Sequence, residues 1–242
     1  METKTTKQEP IRKNTFSLDE KEMAQAGLYF GHKTSRINPK MKPYIKEIRN
    51  AVHIIDLEKT AEKLEEALAY IKELISKKGV IMFVGTKIQV QELVENIAKE
   101  CNLPYVSQRW IGGTFTNFDN IKKRVEHFKD LEEKKKKGEL DKYTKKEKSK
   151  IDKELGNLKV KFEGIRDMKE LPSAIFVCDI RNDELAVKEA RKKGVKVVAI
   201  ADTNIDPDLA DYPIPANDDA ISSVRYILEK VKEVILKENG KN

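Results

Sequence analysis

Short apolar runs alternate with amphipathic helical stretches along most of this chain, and no other feature restricts the fold as strongly. Val80–Val84 and Val197–Ala201 contain only apolar residues, which is typical of strands that are buried on both faces. The stretches between such runs carry apolar residues at every third or fourth position, as one face of a helix requires. One such stripe comprises Leu57, Ala61, Leu64, Leu68, Ile71 and Ile75. We therefore predict an α/β fold in which helices cover both faces of a parallel sheet.

Residues 119–170 interrupt this alternation and predict a long helical hairpin. Two apolar stripes at helical spacing flank a lysine-rich turn, and the second stripe keeps a heptad pattern. The first stripe comprises Ile121, Val125 and Phe128, and the second comprises Ile151, Leu155, Leu158, Phe162 and Ile165. A capping box at Thr144 and Glu147 marks the start of the second helix. We predict an inserted antiparallel coiled-coil hairpin that projects from the body.

The chain is accordingly divided into a tail, a discontinuous body and the inserted hairpin. Residues 1–15 are polar and without periodicity, so we expect a flexible tail. The α/β body spans residues 16–118 and 171–238, and the hairpin spans residues 119–170.

Composition limits the cellular setting of the chain. The longest apolar runs have about five residues, whereas a membrane-spanning helix needs about 20. The N-terminus lacks the apolar stretch of a secretory signal, so we expect a cytoplasmic protein without a membrane partner. Cys101 and Cys178 each lie in an apolar pattern, which indicates reduced thiols in the core.

Local signals predict how several segments begin and end. Ser17 and Glu20 form a second capping box, which predicts Ser17 as the N-cap of a short helix. Asn217 is predicted to cap the last helix. Residues 31–50 contain two prolines and no clear period, so we predict a long irregular loop.

The positive charge is concentrated in two segments. The chain has a net charge of +7. Residues 31–50 hold six basic residues and one acidic residue, and residues 119–170 hold 18 and 13. The remainder is slightly acidic. Two basic patches on a nearly neutral body are typical of a surface that binds a polyanion, although solvated helix faces would give the same counts.

The residues of these segments predict RNA binding. Cations interleaved with an aromatic side chain in irregular structure suit a folded RNA surface. The predicted RNA-binding residues of the first segment are Lys33, Arg36, Lys40, Lys42, Tyr44, Lys46 and Arg49. At the start of the hairpin, Lys122 and Arg124 are added to this set.

The stretch from Gln108 to Asn117 has the least usual composition in the chain. It contains the only tryptophan, two adjacent glycines and several polar side chains within ten residues. One hypothesis is a loop that contacts RNA through Arg109, Trp110, Thr116 and Asn117. The alternative is a structural corner in which Trp110 packs the hairpin against the sheet. Both interpretations could hold together.

A search for catalytic groups finds no convincing set. The histidines and cysteines lack the spacing of metal ligands, and no nucleophile motif is present. Gly85-Thr86-Lys87 follows a strand and precedes a helix, where phosphate loops lie, but it lacks the Walker pattern. A tight strand-to-helix turn, with Gly85 supplying backbone freedom, is the interpretation that we favour, and a nucleotide-binding α/β protein is kept as the alternative function. We expect no enzyme activity, cofactor or small-molecule substrate.

Acidic residues gather at the predicted carboxyl ends of strands, where ligands bind in parallel sheets. Asp179, Asp202, Asp206 and Asp208 form this set. A divalent ion is one interpretation, and helix caps with Asx turns are the interpretation that we favour.

Several motifs in the chain resemble one known family. The residues that carry this resemblance are Gly31-His32, Asn38-Pro39-Lys40-Met41, His53-Ile54-Ile55-Asp56-Leu57, Phe83-Val84-Gly85-Thr86-Lys87, Arg109-Trp110-Ile111-Gly112-Gly113, Thr116-Asn117, Asp202-Thr203-Asn204, Asp206-Pro207, Asp211-Tyr212-Pro213-Ile214-Pro215 and Asn217-Asp218-Asp219-Ala220. In this order, from about residue 16 to residue 238, they resemble the universal small-ribosomal-subunit protein two family, and the long hairpin is similar to that of its bacterial branch. Ile37 and Ala51 depart from the tryptophan and glycine usual there, and Thr114-Phe115 replaces Met-Leu.

The resemblance implies a fold and a setting. It implies a Rossmann-like three-layer body without nucleotide chemistry, carrying the hairpin. It also implies a structural role on ribosomal RNA between the head and body of the small subunit. The implied partners are neighbouring small-subunit proteins, including the large mRNA-binding protein one.

Overall fold

The computed structural model describes residues 16–142 and 144–240. The strands are β1 (Phe30–Lys33), β2 (Ile45–Arg49), β3 (Val52–Ile55), β4 (Ile81–Val84), β5 (Tyr105–Val106), β6 (Ala174–Val177), β7 (Lys196–Ala201) and β8 (Tyr212–Pro215). The α-helices are α1 (Glu20–Ala26), α2 (Leu57–Ser76), α3 (Gln91–Glu100), α4 (Phe118–Lys136), α5 (Lys145–Phe162), α6 (Glu184–Lys192) and α7 (Ile221–Asn239). The predicted tail at residues 1–15 lies outside the described residues.

A five-stranded parallel sheet forms the centre of the body, in the order β5-β4-β6-β7-β8. Its four-residue strand β4 is fully buried because apolar cores lie on both faces. Ile81 and Phe83 face a core shared with α2, α3 and α7, whereas Met82 and Val84 face a core shared with α4 and α6. The predicted α/β class, with helices on both faces of a parallel sheet, is confirmed.

Residues 31–50 are more regular than the sequence predicts. They contribute β1, a 3₁₀ helix at Pro39–Tyr44 and β2, and both strands pair antiparallel with β3. The predicted long irregular loop is therefore wrong. The sequence shows no strand pattern here because β2 is largely exposed and has no buried face with alternating apolar residues. The strand is ordered by its backbone hydrogen bonds to β3.

The turn between β2 and β3 contains two residues in the left-handed region. Arg49 pairs with Val52, so Asn50 and Ala51 form a two-residue hairpin turn with φ values of 50° and 60°. Positive φ at both positions is the geometry of a type I′ turn, which favours Asn-Gly. Ala51 therefore carries backbone strain that glycine would relieve.

Two helix starts differ from the sequence prediction. The side chain of Asp19 accepts the Lys21 N–H, so Asp19 is the N-cap of α1, while Ser17 lies upstream with a φ of 53°. Asn217 Oδ1 accepts the N–H groups of Asp219 and Ala220, and α7 begins only at Ile221. Asn217 therefore closes a turn before the helix, because several candidate caps lie within four residues and sequence alone does not rank them.

The insertion contains the two expected helices, α4 and α5. Lys135 and Asp152 form a 2.7 Å ion pair between them. Phe128 and Phe162 are buried beside the sheet, whereas Leu155 and Leu158 further along are only half-buried. A Cβ at Gly164, just past α5, would collide with the carbonyl oxygen of Tyr105, which shows how closely the returning chain packs on β5. The coiled-coil seam and the domain boundaries stay predictions.

The described part of the chain contains no helix that is both long and apolar enough to cross a bilayer.

The strained turn leads to a first prediction. We expect Ala51→Gly to raise the free energy of unfolding by about 0.5–1 kcal/mol, because glycine adopts positive φ without a Cβ clash. Chemical denaturation followed by circular dichroism measures the change. Ala61→Gly, in the regular helix α2, should instead lower stability by about 1 kcal/mol. Destabilisation by both substitutions would contradict the assigned turn.

Candidate nucleic-acid interface

We define the basic segment as residues 31–50. Its cations fall into two groups. Lys40 lies 2.7 Å from both Asp206 and Asp208, and Arg49 lies 3.3 Å from Glu47. The other four are exposed, and no ion pair joins them to a carboxylate of residues 16–142 or 144–240. These four are Lys33, Arg36, Lys42 and Lys46. The structure therefore leaves four of the six predicted cations open to an external anion.

Tyr44 is half-buried at the end of the 3₁₀ helix rather than fully presented to solvent. Its carbonyl oxygen accepts the Asp56 N–H at 2.9 Å, and the Lys59 ammonium donates to the neighbouring carbonyl of Pro43. These contacts fix the backbone of the basic segment against the start of α2.

The loop from Gln108 to Asn117 is organised by a residue that sequence analysis missed. One oxygen of the Glu189 carboxylate accepts the Gly113 N–H at 2.6 Å. The other accepts the Phe115 and Thr116 N–H groups at 2.9 and 3.1 Å and the Thr116 hydroxyl at 3.2 Å. The indole of Trp110 points at the same carboxylate, at 3.4 Å. The loop is thus wrapped around one buried negative charge.

The four predicted RNA-binding residues of this loop fall into two groups. Trp110 is buried, packs edge-on against Phe115 at 5.0 Å and joins the core beneath α4. The geometry fits the structural-corner interpretation of Trp110, and Thr116 belongs to the same corner. Arg109 and Asn117 are exposed, so they remain candidates for an RNA contact.

Glu189 could have been noticed from its position in α6. Its neighbours on the inward face, Ala186, Val187 and Ala190, are all buried. A glutamate among them requires hydrogen-bond partners. Burial alone would raise its pKa, but the N–H groups of Gly113, Thr116 and Phe115 outweigh burial and hold the pKa of Glu189 below its ordinary value.

Lys122 and Arg124 are exposed on the first turns of α4. Neither is joined by an ion pair to a carboxylate within the described residues. They lie immediately after the loop that Glu189 holds, so that loop fixes the start of the helix that carries them.

The Gly85-Thr86-Lys87 turn is surrounded by carboxylates instead of open to phosphate. Thr86 donates its hydroxyl to Asp183 at 2.7 Å. The Lys87 ammonium lies 2.6 Å from Asp219 and 3.2 Å from both Asp179 and Asp218. Burial would lower the pKa of Lys87, but these three carboxylates raise it above its ordinary value. Because its positive charge is already neutralised, the turn is poorly suited to a nucleotide.

Packing accounts for the glycine of this turn. A Cβ at Gly85 would lie 2.8 Å from Val94 and 3.2 Å from the Cys178 sulfur, so a side chain has no room. The geometry therefore supports the interpretation as a tight strand-to-helix turn.

The acidic residues proposed as ion ligands already have partners within the protein. Asp179 accepts the Asn182 N–H at 2.9 Å, Asp202 lies 3.2 Å from His32, and Asp206 caps a short 3₁₀ helix. Asp208, at the first turn of that helix, pairs with Lys40. Within the described residues, no group of three or more potential ligands has a geometry that could hold a metal ion. The contacts fit the interpretation as caps and turns.

Asp218 remains the most perturbed member of this acidic edge. Burial, together with Asp179 and Asp202, raises the pKa of Asp218 to about 7, and Lys87 counteracts this only partly. The adjoining imidazole of His32 has a raised pKa because its hydrogen bond to Asp202 outweighs the effect of burial. The carboxyl edge of the sheet is thus a network of mutually compensating charges.

The buried carboxylate leads to a second prediction. We expect Glu189→Gln to cost about 2–3 kcal/mol at pH 7, because the loop N–H groups lose a charged acceptor. The pKa of Glu189 is lower in the folded chain, so this advantage exists above the ordinary pKa of about 4.3. It should shrink as the pH falls through the folded pKa. Urea denaturation of both proteins from pH 7 to 3 measures it.

A matched control is Glu184→Gln on the same helix, where the exposed carboxylate pairs with Lys188. Its effect should be within about 0.5 kcal/mol. Equal losses for the two variants would refute the special role of Glu189.

Comparison with known proteins assigns the chain to a family. The sequence model described as "Ribosomal protein S2" matches residues 23–238. The "Small ribosomal subunit protein uS2" of Dictyoglomus thermophilum is 47% identical over 216 residues, which cover 89% of this chain and 88% of that protein. The protein of the same name from Dictyoglomus turgidum gives the same identity and coverage. This chain belongs to the ribosomal protein S2 family, whose members are structural, non-enzymatic components of the ribosome.

Proposed function

We propose that this chain is a non-catalytic constituent of the small ribosomal subunit that binds ribosomal RNA through the basic segment and the α4–α5 hairpin, and thereby supports translation. Its family membership supports the ribosomal, cytoplasmic setting. The assignment of individual RNA contacts rests on which cations form an ion pair within the protein and which do not.

The single observation that carries the proposal is the cluster of exposed, unpaired cations within the basic segment. Several lysines at the body helices instead form an ion pair with a glutamate one turn away, as Lys77 does with Glu73, Lys99 with Glu95 and Lys188 with Glu184. Lys33, Arg36, Lys42 and Lys46 have no such partner in the described part of the chain. Uncompensated cations on a fixed scaffold provide the electrostatic attraction that phosphate binding needs.

Lys40 takes a different role in the proposal. Its two aspartate partners neutralise it, and its pKa is raised through these hydrogen bonds. Lys40 therefore fixes the 3₁₀ helix of the basic segment to the body and contributes less to RNA affinity than Lys42. The proposed RNA contacts outside the basic segment are Arg109, Asn117, Lys122 and Arg124, all of which are exposed.

Neighbouring small-subunit proteins, including the large mRNA-binding protein one, are proposed partners on the strength of the family resemblance. No partner surface in the described residues is assigned to them.

The third prediction tests the basic segment. We expect the triple variant K33Q/R36Q/K42Q to rebind weakly to small subunits depleted of this chain. Each lost phosphate contact should reduce the slope of log affinity against log salt by about one, so a total reduction of about three is expected. Sedimentation at a series of KCl concentrations, with Mg²⁺ held constant, measures the slope.

The control removes the same charge from paired lysines, as K77Q/K99Q/K188Q. Its slope should stay within about one of the wild-type value. An unchanged slope in the first variant would show that the basic segment does not contact RNA, and failure of the wild-type chain to rebind at all would refute the ribosomal function.

A further inference from the structure

A row of lysines runs along one face of α5. Lys146, Lys150, Lys153 and Lys161 are separated by four, three and eight residues, which places them on one side of a helix with 3.6 residues per turn. We call these four residues the α5 lysine stripe. The stripe is about 22 Å long at 1.5 Å per residue. Asn157 and Val160 lie between its members, and Glu154, one turn beyond Lys150, lies at the border of the stripe.

The stripe faces solvent because the opposite side of α5 is occupied. Ile151, Leu155 and Leu158 form the half-buried side of the helix, and Phe162 is buried at its base. All four lysines of the stripe are exposed. The orientation of α5 is therefore set by its apolar side, and its most basic side is turned outward.

The stripe also lacks internal charge compensation. No ion pair joins its lysines to a carboxylate of the described residues. At the distal end of α4 the lysines are compensated, since Lys134 pairs with Asp130, Lys136 with Glu132 and Lys137, just past the helix, with Glu133. The distal end of α4 and the α5 lysine stripe thus present different electrostatic surfaces, because the lysines of the first are paired and those of the second are not.

We propose that the α5 lysine stripe docks against the phosphate backbone of a double-stranded segment of RNA. The proposal rests on the proposed function and deepens it by assigning a contact surface and a class of RNA structure. A straight, rigid row of point charges matches the regular phosphates of a duplex, which proteins recognise through backbone contacts and shape.

The composition of the face argues for a duplex over other partners. Single-stranded RNA is bound on aromatic side chains that stack with bases, and the stripe contains none. An acidic protein is the remaining polyanion, but protein interfaces are depleted in lysine and centred on apolar anchors. Val160 is the one large apolar side chain of this face in the described structure, at 61% exposure.

The experiment compares two triple variants of the full-length chain. K146Q/K150Q/K153Q removes three charges from the stripe, and K134Q/K136Q/K137Q removes three from the paired lysines of α4. Glutamine retains high helix propensity, so circular dichroism should show unchanged helix content in both. Both variants and the wild type are rebound to depleted small subunits over a range of KCl concentrations, and hydroxyl-radical footprints of the ribosomal RNA are recorded.

The stripe variant should reduce the slope of log affinity against log salt by about three, and the α4 variant by less than one. The protection from hydroxyl radicals that the stripe variant loses should lie on base-paired RNA. Equal slopes for the two variants would overturn the proposal while leaving the ribosomal function intact. Weaker rebinding with an unchanged RNA footprint would assign the stripe to an acidic protein, and lost protection confined to unpaired loops would exclude a duplex.

Discussion

One buried carboxylate determines how the chain leaves the sheet. The Glu189 carboxylate accepts hydrogen bonds from the N–H groups of Gly113, Phe115 and Thr116. A loop without regular backbone hydrogen bonds is therefore fixed by one residue of α6. Water would otherwise have to satisfy these donors, and the loop would lose its fixed course. Trp110 and Phe115 pack around the same point, which ties the polar contacts to the core under α4. The position of the start of α4 depends on this arrangement.

The second organising principle is the division of the surface by charge pairing. The chain carries 48 basic and 41 acidic side chains, so many cations can be paired, and several at the body helices are. Ion pairs on the exposed surface add little to the stability of the fold, but a lysine in such a pair is less available to bind phosphate. Within the described residues, unpaired cations are grouped together in the basic segment, at the start of α4 and along the α5 lysine stripe. Net charge alone would not have distinguished these surfaces from the paired ones.

The sequence predicted the α/β class, the parallel sheet and the two hairpin helices because strong hydrophobic periodicity leaves few alternatives. It failed where order comes from other forces. β2 is specified by its hydrogen bonds to β3, and the N-cap at Asp19 was selected over Ser17 by the path of the backbone. Glu189 was missed because its partners lie more than 70 residues away in sequence, at separations that no local pattern reports. Lys40 and Lys42 look alike in sequence and differ only in their three-dimensional neighbours.

The two ends of the insertion are fastened independently of its length. The outgoing chain is held by Glu189, and the returning chain is seated on β5 at Gly164, where even a methyl group would not fit. Helical turns added to or removed from the distal parts of α4 and α5 would therefore leave the sheet and both attachment points unchanged. Selection could therefore change the lengths of α4 and α5 by whole turns in different lineages without any change to the sheet that carries them.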